Sequence, residues 1–172
     1  MYSVCFVCTG NICRSPMAEA VFRARVADAG LDGLVETSSA GTGSWHIGDP
    51  ADPRTSAVLG AAGYELDHTA RQFGPDDFAR HDLVIALDEG HERELRGMAP
   101  TEQDAAKVRL LRSYDPDASA DGRCGLEVPD PYYGGTAAFD EALELVESAV
   151  PGLVAEVAAE MEEREQLVEG SG

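Results

Sequence analysis

Three features are scarce in this 172-residue sequence: cysteine, basic side chains and long apolar runs. No stretch approaches the ~18 apolar residues of a membrane span, and the amino terminus lacks the basic and apolar regions of a signal peptide. We therefore expect a cytoplasmic protein without a membrane-inserted segment. The cysteines are too few and too clustered for a disulfide framework in a chain of this length, so they are interpreted as free thiols: Cys5, Cys8, Cys13 and Cys124.

Basic residues are outnumbered by acidic ones, 13 to 32, which gives a net charge of -19. Such a charge repels nucleic acids and anionic lipid surfaces over most of the molecule. The distribution is uneven, because the span from Asp140 to Glu169 carries ten acidic residues and one basic residue. Arg14, Arg23 and Arg25 lie near the amino terminus instead. A local site for a small anion is therefore compatible with the composition, whereas a nucleic-acid partner is not expected.

The first thirty residues predict a strand, a loop and a helix in succession. An apolar run over 3–7 ends at the turn-forming sequence Thr9-Gly10-Asn11, which is typical of a buried strand followed by a loop. Ser15 is suited to the N-cap of the next helix and Pro16 to its first position, with Gly30 at its end.

Further strands are predicted over 35–40, 83–87 and 108–111, separated by helices over about 53–63 and 89–98. This alternation indicates an α/β fold with a single domain, in which helices cover both faces of a parallel sheet.

The last predicted helix carries an apolar stripe from Phe139 to Val157, which should pack on the sheet. Pro151 lies within this stripe, and a proline in a helix interior removes a backbone donor and clashes with the preceding turn. We therefore expect a kink or a break there. Residues 1–160 are predicted to form the domain, and residues 161–172 a disordered acidic tail.

The loop from Cys8 to Ser15 has the spacing of an anion cradle. Its backbone N–H groups can surround a tetrahedral oxyanion, and the following helix N-terminus adds partial positive charge. Gly10 and Asn11 tolerate the left-handed backbone that such a loop requires. Arg14 can bind two phosphate oxygens through its fork of donors, and the same positive field favours a nucleophilic thiolate at Cys8. The loop lacks the Gly-Lys-Ser/Thr ending of a nucleotide-binding P-loop.

Other interpretations of these thiols are open. Cys5, Cys8 and Cys13 could be small buried hydrophobic residues, which is the interpretation we favour for Cys5. A zinc site built on the Cys5-x2-Cys8 spacing is another alternative, although the spacing to Cys13 and Cys124 is irregular. An arginine beside buried thiols has no packing purpose, which favours a functional role for Cys8 with Arg14.

Residues 4–20, Val-Cys-Phe-Val-Cys-Thr-Gly-Asn-Ile-Cys-Arg-Ser-Pro-Met-Ala-Glu-Ala, resemble the signature of the low-molecular-weight protein tyrosine phosphatases. The resemblance extends through residues 38–42, 68–72 and 130–134. It implies a four-stranded parallel sheet with a phosphate-binding loop after the first strand, and no metal or organic cofactor. We expect tyrosine-phosphorylated proteins as partners, with a cognate tyrosine kinase as an open candidate among them, and a monomer.

The resemblance assigns roles to residues of this sequence. Cys8 is then the nucleophile, Arg14 the phosphate ligand and Asp130 the general acid, and a disulfide of Cys8 with Cys13 would make the activity reversibly sensitive to oxidation. Ser39 and His68 would support the loop. The implied substrate-binding residues are Thr9, Gly10, Asn11, Ile12, Cys13, Ser15, Trp45, Tyr132 and Tyr133. Chemistry alone does not choose the acid, and it leaves Asp49, Asp88 and Asp115 as equal candidates.

Three rival functions share parts of this pattern. Thioredoxin-coupled arsenate reductases have a similar cradle but relay a disulfide through further cysteines, which the span 73–102 lacks. Protein arginine phosphatases resemble the loop but have threonine at the position of Ile12, whose apolar side chain favours an aryl substrate. A phosphoprotein-binding module would be expected to lack the thiol or the acid.

Overall fold

Four parallel strands form the centre of the fold, in the order β2-β1-β3-β4. The computed structural model describes residues 1–119, 122 and 125–170, so Cys124 lies outside the described residues. The strands are β1 (Tyr2–Cys8), β2 (Val35–Gly41), β3 (Leu83–Ala86) and β4 (Val108–Leu110). β1 pairs with both β2 and β3, all in parallel. The predicted four-stranded parallel sheet is confirmed.

Helices and short 3₁₀ segments connect the strands. They are α1 (Arg14–Asp28), α2 (Pro53–Ala61), α3 (Glu89–Met98), α4 (Glu102–Ala106) and α5 (Thr136–Gly170), with 3₁₀ segments at Pro75–Arg80 and Leu111–Tyr114. α4 and both 3₁₀ segments were not predicted, because each is too short to show a hydrophobic period. None of the helices in the described part of the chain is long and apolar enough to span a membrane.

The predicted N-cap of α1 at Ser15 is wrong, because the helix begins at Arg14 with Cys13 in the N-cap position. The Ser15 hydroxyl is buried and lies 2.9 Å from the Cys8 sulfur, so it takes part in the loop rather than capping the helix. Without a side-chain cap, the N–H groups of the first turn of α1 are available to the loop that precedes it.

Helix α5 is unbroken over 35 residues, with Pro151 inside it, so of the predicted kink or break the break is absent. Val150 and Leu153, on either side of this position, are fully buried, and burial of each such side chain contributes about 1.5–3 kcal/mol, which offsets a lost helical hydrogen bond. Gly152 permits a close approach at the same point, because a Cβ there would lie 2.2 Å from the carbonyl oxygen of Tyr114.

The carboxyl-terminal segment is helical as far as Gly170, so the predicted disordered tail is wrong for residues 161–170. Composition suggested disorder, but tertiary contacts hold the first part of this segment, as far as Arg164. An ion pair of 2.8 Å joins Arg164 to Asp82, and the Arg164 guanidinium lies 4.8 Å from the centre of the Tyr2 ring. The Tyr2 hydroxyl also donates a hydrogen bond to Glu160.

The two faces of the sheet bury separate apolar layers. Phe6 of β1 packs with Phe22 of α1 and Phe139 of α5 on one face, whereas the other face buries Val7 with Phe78. β2 lies on one side of β1 and β3 on the other, so the direction in which successive strands are added to the sheet reverses at β1. In open α/β sheets a crevice for ligands forms at this point, outside the carboxyl ends of the strands. Cys8 is the last residue of β1 and lies at this crevice.

Candidate active site

The loop between β1 and α1 turns its carbonyl groups outward. Neighbouring N–H groups bond four of these carbonyls: those of Cys8, Thr9, Asn11 and Ile12. The donors are Thr42 N–H at 2.9 Å, Gly43 N–H at 3.0 Å, His68 Nε2 at 2.6 Å and Asp52 N–H at 2.9 Å. In a planar trans peptide the N–H points opposite to the preceding carbonyl, so the following N–H groups face the inside of the loop. The loop is therefore a cradle of donors.

Asn11 holds this loop in shape. Its φ of 58° is the single positive value at a non-glycine position in the described residues. Its side-chain amide nitrogen donates to Ser15 Oγ at 2.9 Å and to Ser39 Oγ at 3.0 Å. Its side-chain oxygen accepts from the Arg71 N–H at 3.0 Å. Asn11 thus ties the loop to α1, to β2 and to the segment before the first 3₁₀ turn.

Cys8 lies at the floor of the cradle, with 3% of its surface exposed. Its sulfur is 2.9 Å from Ser15 Oγ. The Ser15 oxygen accepts a hydrogen bond from Asn11, and its own proton has two acceptors within reach, the Cys8 sulfur at 2.9 Å and the Ala40 carbonyl at 3.4 Å. A thiolate at Cys8 is the nearer of the two and carries the charge, so it takes the stronger hydrogen bond. The N-terminus of α1 faces the same point and adds partial positive charge.

Cys5 and Cys13 differ from Cys8 in their surroundings. Cys5 is fully buried in the sheet, which confirms the prediction of a core residue, and burial raises its pKa to about 12. Burial, assisted by the negative charge of Asp52, likewise raises the pKa of Cys13 to about 12. Both groups are therefore neutral thiols at physiological pH, although Cys13 lines the same cleft as Cys8.

Arg14 is buried beside the cradle, and one end of its guanidinium is fixed. Nη1 donates to Asp88 Oδ2 at 2.8 Å and to the Val128 carbonyl at 3.0 Å. Burial opposes ionisation of Asp88, but hydrogen bonds from the His91 N–H and from Arg14 outweigh it and lower the Asp88 pKa. With Nη1 committed, Nε and Nη2 present the edge that binds two oxygens of a phosphate.

His91, a site residue without a sequence-based prediction, lies buried beside this arginine. Burial and the charge of Arg14 lower its pKa to about 4, against the opposing effect of Asp88. Nε2 lies 2.7 Å from Thr9 Oγ1 and 3.5 Å from Arg14 Nη2. Arginine can only donate, so Nε2 is the acceptor and the proton of the neutral ring is on Nδ1. That Nδ1 lies 3.2 Å from Asp88 Oδ1, although outside hydrogen-bond geometry.

The position of Asp130 separates it from the other candidate acids. Its carboxylate lies 3.7 Å from Arg14 Nη2 and is 47% exposed, at the mouth of the cradle. Asp88 is bound to Arg14 from behind, and Asp49 pairs with His46 at 3.1 Å. Asp115 is buried and accepts hydrogen bonds from Ser148 Oγ and the Asp117 N–H. Among the aspartates that the structure describes, Asp130 alone lines the cleft.

The cleft above Cys8 has a volume of about 310 Å³ and an aromatic rim. Trp45 is 76% exposed and Tyr133 93% exposed, and the rings of Tyr132 and Tyr133 meet edge to face with centres 4.9 Å apart. His46, which was not predicted, completes the wall. The lining residues are Cys8, Thr9, Gly10, Ile12, Cys13, Arg14, Trp45, His46, Asp130, Tyr132 and Tyr133.

The structure thus brings the predicted residues together, with Ser39 and His68 in the network behind the loop. Asp88 was a candidate acid, but the structure places it as the partner of Arg14. His91 was missed, because its contacts with Thr9 and Arg14 span a large sequence separation that no local pattern records. Within the described ranges, no group of three or more His, Cys, Asp or Glu side chains could hold a metal ion.

Comparisons with known proteins agree with this geometry. The family model described as low molecular weight phosphotyrosine protein phosphatase matches residues 3–163. A curated low molecular weight protein-tyrosine-phosphatase of Streptomyces coelicolor is 68% identical over 163 residues, which covers 95% of this chain and 98% of the relative.

Two solved structures are similar over nearly the whole chain. YfkJ from Bacillus subtilis is 40% identical, with a TM-score of 0.84, and the match covers 93% of this chain and 96% of YfkJ. A protein tyrosine phosphatase from Entamoeba histolytica with Hepes in the active site is 34% identical, with a TM-score of 0.85, over 94% of this chain and 99% of that one. The chain belongs to the family of low molecular weight phosphotyrosine protein phosphatases.

Proposed function

We propose that this enzyme hydrolyses phosphotyrosine in proteins, and small aryl phosphates, through a cysteinyl-phosphate intermediate on Cys8. One observation carries the proposal. Cys8, Arg14 and Asp130 all line one cleft with an aromatic rim. A nucleophile, an anion ligand and a proton donor are the three groups that phosphate-monoester cleavage without a metal requires.

In the first step the Cys8 thiolate attacks phosphorus in line with the leaving oxygen. The loop N–H groups and Arg14 hold the three non-bridging oxygens while the P–O bond to the aryl group breaks. The electron pair of that bond passes to the aryl oxygen, which takes the proton of Asp130 and leaves as a neutral phenol.

In the second step a water molecule takes the place of the phenol. Asp130, now ionised, accepts a proton from this water as it attacks phosphorus, and the S–P bond breaks. The electron pair of that bond returns to sulfur, and the Ser15 hydroxyl at 2.9 Å supports the thiolate that leaves. Inorganic phosphate is then released.

The depth of the cleft determines the preference for phosphotyrosine over phosphoserine. Cys8 is almost completely covered at the floor, and Trp45 and Tyr132 wall the approach. A phosphoserine side chain is too short to carry phosphorus to this depth, whereas a flat phenyl ring both reaches the floor and packs between the aromatic walls. The apolar side chain of Ile12 favours the same substrate over phosphoarginine.

We further propose that the enzyme acts as a monomer in the cytoplasm, where a tyrosine kinase of the same cell would be among its substrates. The free state of Cys5, Cys8 and Cys13 supports a reducing compartment. Fractionation of cells and sedimentation of the purified protein would test these two statements, and a dimer or an extracellular pool would contradict them.

The test of the mechanism compares wild type with Cys8→Ser and Asp130→Asn on 4-nitrophenyl phosphate and on phosphotyrosine, phosphoserine and phosphoarginine peptides, without added metal. We expect hydrolysis of the two aryl phosphates by wild type and loss of activity in Cys8→Ser. In Asp130→Asn, kcat/KM for the phosphotyrosine peptide should fall by about 10²-fold or more, and that for 4-nitrophenyl phosphate by less. Asp140→Asn removes an exposed carboxylate of α5 outside the cleft and should leave the rates unchanged.

Two results would contradict the proposal. Activity retained in Cys8→Ser would exclude Cys8 as the nucleophile. A preference for the phosphoarginine peptide would exclude phosphotyrosine as the principal substrate, whatever the nucleophile.

A further inference from the structure

The loop that carries Asp130 is held on its amino-terminal side, where the Val128 N–H donates to the Leu87 carbonyl at 2.8 Å and the Val128 carbonyl accepts from Arg14 at 3.0 Å, but it has few restraints of its own from Asp130 onward. Asp130 and Tyr133 are both exposed, and the bonds within the loop are short-range: Tyr132 N–H to Asp130 Oδ1 at 3.1 Å and Gly134 N–H to the Pro131 carbonyl at 2.9 Å. Such bonds set the turn but do not fix its distance from Cys8. A proton donor must lie within hydrogen-bond reach of the leaving oxygen, so an external anchor is needed.

Arg54 of α2 provides a contact of this kind. Its guanidinium carbon lies 5.4 Å from the centre of the Tyr132 ring and 4.5 Å from that of Phe139. Its Nη1 donates to the Gly134 carbonyl at 3.3 Å. Arg54 thus holds both the aromatic ring and the backbone of the segment just after Asp130, against the start of α5.

Asp52 fixes Arg54 in turn. It accepts hydrogen bonds from Arg54 Nε at 3.0 Å and from Nη2 at 2.9 Å, as well as from the Arg54 backbone N–H at 2.9 Å. The backbone N–H of Asp52 donates to the Ile12 carbonyl in the phosphate cradle at 2.9 Å. A continuous path therefore runs from the cradle through Asp52 and Arg54 to the loop of the acid.

We propose that Arg54 is a positioning residue for the general acid, which sets Asp130 relative to the phosphate cradle. This inference rests on the proposed function, because it assumes that Asp130 donates the proton. Two edges of the same planar guanidinium are used, one on Asp52 and one on Gly134, with the ring of Tyr132 against the group. A lysine at this position keeps the charge but cannot make these contacts together.

The test follows from the chemistry of the leaving group. Phenolate is a poor leaving group and needs the proton of Asp130, whereas 4-nitrophenolate leaves well without it. In Arg54→Lys we expect kcat/KM for phenyl phosphate and a phosphotyrosine peptide to fall by about tenfold, and that for 4-nitrophenyl phosphate by less than about threefold. Inhibition by inorganic phosphate, which reports the cradle alone, should be unchanged.

Arg25→Lys is the matched control. Arg25 is also a half-exposed arginine with an aspartate partner, Asp28 at 3.1 Å, and an aromatic neighbour, Tyr64 at 5.8 Å, but it lies on α1 away from the cleft. It should leave all three substrates unaffected. Should Arg54→Lys be poorly folded, Arg54→Gln is measured in the same way, since it retains an amide donor but loses the fork.

Measurements on Asp130→Asn distinguish a failure of the proposed role of Arg54 from a failure of the proposed role of Asp130 as the acid. Suppose that Asp130→Asn lowers kcat/KM much more for phenyl phosphate than for 4-nitrophenyl phosphate, but Arg54→Lys lowers kcat/KM equally for all substrates or for none. The role of Arg54 is then overturned, and the mechanism stands. If Asp130→Asn shows no discrimination, Asp130 is not the acid, and both the proposed function of that residue and the role of Arg54 are overturned.

Discussion

Replacement of Asn11 by alanine is expected to destabilise the protein strongly, although it removes only a short side chain from a loop. The side chain makes three hydrogen bonds, two as donor to Ser15 and Ser39 and one as acceptor from the Arg71 N–H. Asn11 is completely buried, so none of these partners gains water when the side chain is lost.

The magnitude follows from two contributions. Three hydrogen bonds at ~1 kcal/mol each give about 3 kcal/mol. Alanine in the left-handed region at φ 58° adds ~1 kcal/mol, since asparagine tolerates that conformation better. The free energy of unfolding should therefore fall by about 4 kcal/mol, which for a chain of this size lowers Tm by roughly 8–16 °C.

Urea unfolding of wild type, Asn11→Ala and Asn11→Gly measures both contributions. Glycine loses the same hydrogen bonds but adopts positive φ freely, so Asn11→Gly should be about 1 kcal/mol more stable than Asn11→Ala. If Asn11→Ala lies within about 1 kcal/mol of wild type, the hydrogen-bond reasoning is refuted. Equal stability of the two variants would refute the backbone reasoning.

Two further predictions concern His91 and Cys13. Between pH 6.5 and about 4 the unfolded chain binds a proton at His91 that the folded protein does not. The contribution of His91 to the free energy of unfolding should therefore decrease as the pH is lowered, by about 1.4 kcal/mol per pH unit in this window, and be constant above it. His91→Gln should lose this part of the slope, and equal slopes in urea titrations would contradict it. Peroxide should inactivate the enzyme reversibly, because a Cys8 sulfenic acid can condense with the Cys13 thiol to a disulfide and water. A thiol reductant should then restore wild type more fully than Cys13→Ser, because without the Cys13 thiol the Cys8 sulfenic acid is oxidised by further peroxide to sulfinic acid, which thiols do not reduce. Equal recovery would argue against the disulfide.

Local patterns were enough to predict the scaffold of the site. The apolar run before Thr9, the turn residues Gly10 and Asn11, and the helical stripe after Pro16 each depend on neighbours in sequence. The strand predicted over 83–87 is observed at 83–86, and the parallel sheet follows from the alternation of elements.

Residues that act through distant partners were beyond such patterns. The local rule for a helix start selected Ser15 as an N-cap, but the contact with Cys8 takes its hydroxyl into the loop. The composition of residues 161–170 suggested disorder, whereas the ion pair of Arg164 with Asp82 joins positions 82 residues apart. Asp130 was identified only through the family resemblance, since four aspartates had similar local surroundings.

The anchoring of Arg14 has a consequence for the thermodynamics of substrate binding. A free arginine loses roughly 2 kcal/mol of rotamer entropy when it is immobilised on a ligand. Here the hydrogen bonds to Asp88 and to the Val128 carbonyl immobilise the side chain when the protein folds. Little of that entropy is left to lose when phosphate arrives, so ordering of this side chain should contribute little to the entropy of association.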